Sequence, residues 1–591
     1  MNTHPFPDVE SILPAVEDIR PIKRLRSELR RIDGWGSLAW KEILGAWRLS
    51  AQAIIVICVP EQDDDADVDE RLAFLVVDHG LGKPASHGDA VAMADWVLRV
   101  PVSALLAKPA IHAWTLRPGQ AVRATNACWF AAHQLVVRLH LTLPYAGMGI
   151  DPRRVGRFIA QVSCLADALA AATPRPGLAA HRRSVAKQQA LRAALPANGL
   201  VAFISEGAVV PRAGGGGLSG SGLSGGGPAA RATPIRLPAT MRTRLSLGRF
   251  GTVRGWGLRE GVTAITGSPY HGKSTVLQAL QAGVDDHPPG DGREGIATIP
   301  GALLVQAEDG RPVSSTDLSL FFATLPGTDP QTFATARASG ATSMAASVVQ
   351  GIAAGSRLLL IDEDSAASNF LLIDPVMRKL LGPTLRGTTT LLEVLPAFAT
   401  MGVSTILVAG SSGHSLAVAD RVVQMDQWQP HDVTTRARRL VRRLPPSAPL
   451  ELPRRWFADV PDALFGPRHF APLDLREPER PRIKLPVSNG VDGWHRLDLR
   501  RSGWVLDEAL TAGALLAAGW VCRLARGGAE MAALESAYAS LIANGPTALD
   551  PFHSRMLTVP PWQLVVSVLE RMPVRIRSLS FASFLTSHFV P

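Results

Sequence analysis

The sequence predicts a mostly parallel α/β domain between an α+β region and a basic, part-helical region. Apolar, strand-like runs at residues 261–266, 357–361 and 404–408 alternate with helical stretches, as in a parallel sheet with crossover helices. A glycine-containing loop separates the first of these runs from the helix that follows it. The chain has 591 residues. This length exceeds the size of a single hydrophobic core, so we expect about two to four domains.

The composition excludes two broad classes of protein. Apolar residues make up 46% and charged residues 19% of the chain, which excludes a largely disordered protein. No run approaches the ~18–20 apolar residues of a membrane-spanning helix, so an integral membrane transporter is not expected. Lys and Arg outnumber Asp and Glu by 61 to 51, and this excess permits a polyanionic partner without requiring one.

Changes in local composition divide the chain into five segments. Residues 1–20 predict a loose tail, and residues 21–212 predict an α+β domain. Residues 213–242 contain the run GGGGLSGSGLSGGGP, which has no lysine and no flanking strand and helix. They therefore predict a flexible linker or loop rather than a phosphate-binding loop. Residues 243–430 form the predicted α/β domain, and residues 431–591 form an Arg-rich, partly helical region.

Several elements are expected outside the α/β domain. Residues 135–143 alternate between apolar and polar side chains, which predicts a half-buried strand. Asp151 and Pro152 form an N-cap and first-turn pair for a helix that runs to about residue 172. The other expected elements are strands at 53–59, 72–77 and 200–205, the last of them ending the N-terminal domain, and helices at 23–32, 184–195 and 506–523.

The loop after the first strand of the α/β domain has the pattern of a phosphate-binding loop. Residues 267–274 satisfy G-x-x-x-x-G-K-[ST], with a strand before them and a helix after them. Glycines allow backbone N–H groups to face phosphates, and the helix N-terminus adds a positive dipole. Lys273 would reach the β- and γ-phosphates of a nucleotide, and the Ser274 hydroxyl would bind Mg²⁺. The predicted nucleotide-binding residues are Gly267, Ser268, Pro269, Tyr270, His271, Gly272, Lys273, Ser274 and Thr275.

A second apolar strand ends in a pair of carboxylates. Residues 357–364 read RLLLIDED, so a buried strand would deliver Asp362 and Glu363 to its carboxyl end, where α/β sheets bind ligands. Asp362 would hold Mg²⁺, and Glu363 could polarise the attacking water as general base. Asp364 could compete for either role, and an ordinary acidic strand end is the alternative.

A third element is the small turn Ser339-Gly340-Ala-Thr-Ser, which precedes a helix that leads into the acidic strand. By itself this turn predicts only an N-capped helix.

Together these motifs resemble those of the ABC ATPases. In that family a Ser-Gly signature lies a little over twenty residues before the strand's Asp, and here the interval is 362 − 339 = 23. Residues 362–369 resemble the family's Asp-Glu pair and D-loop, and residues 419–427 resemble its closing strand. Within the family, residues 25–435 are similar to the branch known as predicted ATPases of the ABC class. The segments that carry this similarity are IDG (32–34), LPYAGMG (143–149), GLVAF (199–203), RGWGL (254–258), YHGKST (270–275), GDGRE (290–294), AEDGR (307–311), SGATS (339–343) and GVSTIL (402–407).

The resemblance implies a nucleotide sandwich between two copies of the chain. Lys273 and Ser274 of one subunit would hold ATP and Mg²⁺, and Ser339 and Gly340 of the second subunit would cap the γ-phosphate. Because the chain carries one set of motifs, a homodimer is expected. ATP would join the subunits and its hydrolysis would loosen them.

Two positions depart from the family pattern. The switch-loop His expected just after residues 405–409 is replaced by Gly410 or Ser411, and His414 lies three residues later. Hydrolysis is therefore expected to be slow or to use another group. The Q-loop position is open between Gln306 and the acidic residues 308–309.

Basic residues suggest what the ATPase could act on. They lie near the N-terminus and after the α/β domain, where they could bind the RNA backbone without sequence selectivity or could be ordinary solvated surface. They are Lys23, Arg24, Arg26, Arg30, Arg31, Arg436, Arg438, Arg439, Arg442, Arg443, Arg454 and Arg455. The Arg-rich extension and glycine-rich insertion are most similar to kinetoplastid members of the branch. This similarity implies a role in RNA editing in the mitochondrial matrix, and without it a cytoplasmic location is expected.

Two other functions stay open at this point. One is an ATP-dependent assembly scaffold with no direct role for nucleic acid. The other is a P-loop kinase with a small acceptor, which would leave Ser339, Gly340 and the Asp362–Glu363 pair unexplained.

Overall fold

The computed structural model describes most of the chain. The described residues are 18–31, 44–58, 70–108, 113–131, 134–142, 145–146, 149–171, 175–210, 234–385, 387–442, 473–474, 482–486, 492–497, 499, 502–504, 507–524, 531–543, 546–549 and 556–572. Most of the predicted tail, residues 213–233 of the predicted linker and Arg443, Arg454 and Arg455 lie outside them.

The elements are numbered here in chain order. The strands are β1 Arg20–Pro21, β2 Gly45–Ser50, β3 Ala53–Cys58, β4 Glu70–Asp78, β5 Ala113–Trp114, β6 Cys128–Ala131, β7 Gln134–Thr142, β8 Tyr145–Ala146, β9 Gly149–Ile150, β10 Leu200–Ser205, β11 Arg242–Ser246, β12 Thr252–Arg259, β13 Val262–Thr266, β14 Ile296–Thr298, β15 Leu303–Val305, β16 Val313–Thr316, β17 Phe333–Thr335, β18 Leu358–Asp362, β19 Ser404–Val408, β20 Arg421–Asp426, β21 Gln429–Asp432, β22 Leu473–Asp474, β23 Arg482–Pro486 and β24 Asp492–Arg496. The α-helices are α1 Ile22–Arg31, α2 His87–Val97, α3 Ser103–Leu106, α4 Pro152–Ala170, α5 Pro176–Ala197, α6 Lys273–Ala282, α7 Gly340–Ala353, α8 Ser368–Leu371, α9 Pro375–Leu381, α10 Leu391–Thr400, α11 His414–Ala417, α12 Thr434–Val441, α13 Glu508–Leu524, α14 Met531–Ala543 and α15 Trp562–Arg571. A π-turn at Leu98–Val102 joins α2 to α3, and short 3₁₀ turns lie at Ala239–Met241, Gly248–Phe250, Pro330–Thr332, Glu363–Ser365, Gly382–Leu385 and Pro546–Leu549.

The N-terminal region is built on a sheet in the order β1-β2-β3-β4-β7-β5, with β6 also paired to β7. Asp151 caps α4 as predicted, because its Oδ1 accepts the N–H groups of Arg153 at 2.9 Å and Arg154 at 3.4 Å. The prediction that β7 is half-buried is wrong. Its alternating polar residues Arg138 and His140 are buried as well, because apolar clusters cover both faces of the sheet.

Strand β10 was expected to end the N-terminal domain, but it belongs to a different sheet. It pairs antiparallel with β12 and with β14, so the order of this sheet is β11-β12-β10-β14. Helix α5 packs on the same sheet through Leu191 and Leu195, which share a core with Phe203 of β10. Both elements therefore pack with the α/β region that follows, a long-range pairing that the local composition near residue 212 does not reveal.

The mostly parallel sheet predicted for the α/β domain is confirmed. Its order is β15-β18-β19-β13-β20-β21, and every pairing is parallel except that of β21. Strand β19 lies between β13 and β18, and Asp362 is directly opposite Val408. The loops that follow β13, β18 and β19 therefore leave from the same edge of the sheet, where parallel α/β folds place their ligands.

The C-terminal helices complete the core of the α/β domain. Leu515 of α13 and Val565 and Leu569 of α15 share one buried cluster with Met344 and Val348 of α7. In the described part of the chain, this region thus packs directly on the parallel sheet and its helices. No helix among the described residues is long and apolar enough to span a bilayer.

A set of buried polar residues fastens α15 to α7. We call Glu308, Arg311, Gln350, Glu570 and Arg571 the buried polar cluster, since each is less than 9% exposed. Glu308 accepts from Arg571 through both carboxylate oxygens, with Nε 2.9 Å from Oε2. Gln350 accepts from Arg311 at 2.9 Å and donates to Glu570 at 2.8 Å. Burial, reinforced by the charge of Arg571, lowers the pKa of Arg311 to about 10. Arg311 therefore stays charged at neutral pH.

Candidate nucleotide-binding site

The phosphate loop connects β13 to α6, as predicted, and two of its positions require glycine. Gly267 has φ +140°, and a Cβ there would lie 2.3 Å from the carbonyl oxygen of Met425. Gly272, the N-cap of α6, has φ +96°, and a Cβ there would lie 2.6 Å from the ring of Trp428. Any larger residue at either position would displace the loop from the β20–β21 hairpin.

Lys273 crosses the loop that it terminates. Its Nζ donates to the carbonyl oxygens of Gly267 at 2.7 Å and Ser268 at 3.0 Å. An ammonium group has three donors, so one N–H remains for an incoming anion. The first backbone bond of α6 runs from Val276 to Gly272 at 3.0 Å. In the described structure, the N–H groups of residues 273–275 have no acceptor, which leaves a cluster of donors suited to a phosphate.

The turn between β20 and β21 braces the loop from outside. The His271 Nδ1 accepts the N–H of Gln427 at 3.1 Å and lies 3.0 Å from a carboxylate oxygen of Asp426. Gln427 and Trp428 have φ of +44° and +69°. Neither turn residue is the glycine or asparagine that usually adopts such angles, so the sequence does not predict positive φ here. Tyr270 lies at the loop's surface with φ +65° and is 96% exposed.

Asp362 ends β18 at the same edge of the sheet as the phosphate loop. One of its carboxylate oxygens accepts the N–H of Asp364 at 3.2 Å, and the other is left for a ligand. Carboxylate and hydroxyl oxygens are the hard donors that Mg²⁺ prefers, so Asp362 and Ser274 fit this ion. The described residues contain no group of three or more His, Cys, Asp or Glu side chains that could hold a metal. The nucleotide phosphates and water would supply the remaining Mg²⁺ ligands.

Glu363 is held by the loop that follows β19. Its Oε2 accepts the N–H groups of Gly410 at 2.6 Å and Ser411 at 3.1 Å, and its Oε1 accepts the hydroxyl of Ser411. Burial alone would raise the pKa of Glu363. The hydrogen bonds from the Ser411 side chain and from the backbone of Ser411 and Gly410 outweigh burial and hold that pKa below its usual value. Asp364, the competing carboxylate in the sequence, is exposed.

The structure also shows where the residues that depart from the family pattern lie. His414 begins α11, and its Nε2 is buried without a hydrogen-bond partner among the described residues. Ser411, and not His414, contacts Glu363. Glu308, one of the Q-loop candidates, is buried and accepts from Arg571 through both of its carboxylate oxygens. Gln306, which follows β15, is half-buried.

Ser339 and Gly340 begin α7. The Ser339 Oγ accepts the N–H of Thr342 at 3.3 Å and caps the helix, and Ser339 itself is exposed. A Cβ on Gly340 would lie 3.1 Å from a carboxylate oxygen of Asp309. Across the described residues, no hydrogen bond joins Ser339 or Gly340 to residues 267–275. The structure thus gathers the phosphate loop, Asp362 and Glu363 at one sheet edge, whereas the Ser-Gly turn shares no hydrogen bond with that loop.

Comparison with known families agrees with this geometry. Residues 175–460 match the model of a family described as ABC_ATPase, P-loop domain. This match supports the ABC-class ATPase family for the central region. It begins one residue before α5, in accord with the packing of α5 and β10 on the nucleotide-binding region. Because a domain of this class binds nucleotides, the match also indicates nucleotide binding by residues that include the phosphate loop.

A curated relative and two solved structures are similar to parts of the chain. The uncharacterized protein MJ1628 of Methanocaldococcus jannaschii is 35% identical over 181 residues, which are 29% of this chain and 39% of the relative. The chain therefore spans about two fifths of that protein's length. One similar structure is cbiO1 from Clostridium perfringens, part of the ABC transporter complex cbiONQ, with 15% identity, TM-score 0.24 and coverage of 42% of this chain and 96% of cbiO1. Another is the ADP conformation of MJ1267, an ATP-binding cassette of an ABC transporter, with 11% identity, TM-score 0.22 and coverage of 33% and 89%.

Proposed function

We propose that the protein is an ATPase that binds ATP and Mg²⁺ between two copies of the chain and couples this cycle to RNA. The observation that carries the proposal is the assembly of donors and carboxylates at one sheet edge. There Lys273 and the unbonded N–H groups of α6 lie after β13, and Asp362 and Glu363 lie at the carboxyl end of β18. Only β19 separates these two strands in the sheet. Such a set can hold a triphosphate and activate a water beside it.

The chemical roles follow from the donors that each residue offers. Lys273 would bind the β- and γ-phosphate oxygens, and Ser274 and Asp362 would bind Mg²⁺. The ion would neutralise the charge that develops on these oxygens. Glu363 would take the proton of the water that attacks the γ-phosphate.

The proposed dimer is supported by the position of the Ser-Gly turn at the N-terminus of α7. Ser339 and Gly340 begin α7 and make no hydrogen bond to the phosphate loop of their own chain within the described residues. Their N-terminal position on α7 suits an anion, because backbone N–H groups and the helix dipole meet there. In a second copy, the same turn would cap the γ-phosphate from the opposite side, so bound ATP would hold the two subunits together.

The variant Glu363→Gln tests the sandwich. We expect it to bind ATP and to stay dimeric, because the amide cannot accept the proton of water and hydrolysis no longer releases the partner. Mass measurement by light scattering, with and without saturating ATP and Mg²⁺, reads out the dimer. Asp364→Asn is the matched control, since this neighbouring carboxylate is exposed, and it should hydrolyse ATP normally. A monomeric Glu363→Gln protein saturated with ATP would overturn the sandwich.

RNA binding is supported by exposed arginines on α12 and at its C-terminal cap. Arg436, Arg439 and Arg442 are exposed, and Arg438 donates to the carbonyl oxygen of Asp420 at 2.9 Å. On α1, by contrast, Glu28 already lies 3.7 Å from Arg24 and 2.9 Å from Arg31. Helix α12 is therefore the stronger candidate for binding phosphates. The more specific proposal is that this RNA binding serves mitochondrial RNA editing.

Salt dependence separates this function from a scaffold. We expect RNA to change the ATPase rate, and RNA affinity to fall about tenfold or more between 50 and 200 mM salt if several phosphates are contacted. Replacing Arg436, Arg439 and Arg442 together by Gln should weaken this binding. Turnover indifferent to RNA, without salt-sensitive binding, would favour an ATP-dependent assembly scaffold instead.

A further inference from the structure

The loop after β19 holds both oxygens of the Glu363 carboxylate. Two backbone N–H groups, those of Gly410 at 2.6 Å and Ser411 at 3.1 Å, donate to Oε2. The hydroxyl of Ser411 donates to Oε1. Each carboxylate oxygen accepts about two hydrogen bonds, so Oε2 is saturated and Oε1 keeps one open acceptor position. A free Glu side chain samples several rotamers, whereas these bonds hold it in one.

The other polar side chains of this loop make no hydrogen bond to Glu363 among the described residues, although the backbone N–H of Ser412 also helps to stabilise its carboxylate. The buried Nε2 of His414 has no hydrogen-bond partner there, and the Ser412 hydroxyl accepts the N–H of His414 at 3.3 Å. Ser411 is thus the side chain of this loop that touches the carboxylate. The family's imidazole is absent from positions 410 and 411, and a hydroxyl lies in contact with the carboxylate instead.

We propose that Ser411 is a positioning residue for Glu363, and that it directs the one open acceptor of Oε1 toward the water that attacks the γ-phosphate. This inference rests on the function proposed above. In the step that it serves, the water oxygen forms a bond to the γ-phosphorus while the bond from that phosphorus to the bridging oxygen breaks. The electron pair of the broken bond leaves with ADP, and the proton of the water moves to Oε1 of Glu363. Ser411 keeps its own proton throughout.

Steady-state kinetics of Ser411→Ala test the proposal. A hydrogen bond to a charged group has an energy that corresponds to about a tenfold to hundredfold change in rate, so kcat should fall by that factor. KM for ATP should stay within about twofold, because Glu363 does not contribute to ground-state binding of the phosphates. Ser411→Thr keeps the hydroxyl and should restore most of kcat. Ser412→Ala is the matched control and should leave kcat unchanged, since the Ser412 hydroxyl bonds to His414 and the substitution keeps the Ser412 backbone N–H that faces Glu363.

A double-mutant cycle distinguishes this proposal from the function on which it rests. If Ser411 acts through Glu363, Ser411→Ala should cause no further loss in a Glu363→Gln background. A normal or increased kcat in Ser411→Ala, with Glu363→Gln inactive, would overturn the positioning role alone. Full turnover by Glu363→Gln would overturn the role of Glu363 as base, and with it the role of Ser411.

Discussion

The nucleotide-facing edge of the parallel sheet and the buried polar cluster are both networks of charged and polar groups, but they are built differently. At the sheet edge, Lys273 bonds to Gly267, only 6 positions away, and its ammonium keeps a donor for a ligand. In the buried polar cluster, Arg571 bonds to Glu308 across 263 positions, and both oxygens of Glu308 are occupied. The first network leaves polar groups available to a ligand, whereas the second engages both oxygens of the buried Glu308 carboxylate to join two parts of the fold.

This difference teaches how the two networks respond to substitution. A polar group at the sheet edge is partly exposed to water, so its loss removes an interaction with the ligand and changes stability little. A charge in the buried polar cluster has lost its water, and it depends on its partner to compensate. Substitution of a charged residue should therefore weaken ligand binding at the sheet edge and destabilise the fold in the buried polar cluster.

The largest effect is expected for Arg571→Ala. The substitution leaves the Glu308 carboxylate buried without its bidentate partner, which should lower the free energy of unfolding by about 3–5 kcal/mol. Proteins of ordinary stability have about 5–15 kcal/mol in total, so the variant should unfold at a clearly lower urea concentration. Denaturation followed by circular dichroism measures the shift.

Two further variants make this test specific. Arg442→Ala removes an exposed arginine and should change stability by no more than about 0.5 kcal/mol. The double variant Arg571→Met with Glu308→Gln removes both charges and should recover much of the loss, because no unpaired charge stays buried. A loss below about 1 kcal/mol in Arg571→Ala would mean that the cluster does not fasten α15 to α7.

The sequence predicted the parts of the fold that depend on neighbours along the chain. The predicted bounds of the strand at 404–408 agree with those in the structure. The alternation of strands and helices predicted the parallel sheet, and Asp151 caps its helix as predicted. What it did not predict depends on distant partners. Strand β10 lies in the second sheet because β12 and β14 pair with it, and β7 is buried on both faces because clusters from separate segments cover it.

The same rule applies to the candidate site. The phosphate loop could be located from eight consecutive residues, and the edge position of Asp362 and Glu363 from one apolar strand. The assignment of the Ser411 hydroxyl to Glu363 needed the coordinates, because it depends on the pairing of β18 with β19. The brace formed by Asp426, Gln427 and Trp428 also needed them, because positive φ at a glutamine and a tryptophan has no local signal.

Lys273→Ala tests the sheet edge in the same way that Arg571→Ala tests the buried polar cluster. The ammonium lies partly exposed and donates to two carbonyl oxygens of its own loop, and water can donate to these oxygens once the ammonium is removed. Stability should therefore change by no more than about 1 kcal/mol. ATP affinity should fall about a hundredfold, because the phosphates lose a charge-assisted donor that water cannot supply in the same geometry. Titration calorimetry measures binding, and the urea midpoint of the same sample measures stability. If Lys273→Ala unfolds as readily as Arg571→Ala, the phosphate loop is part of what holds the fold together, and the contrast between the two networks fails.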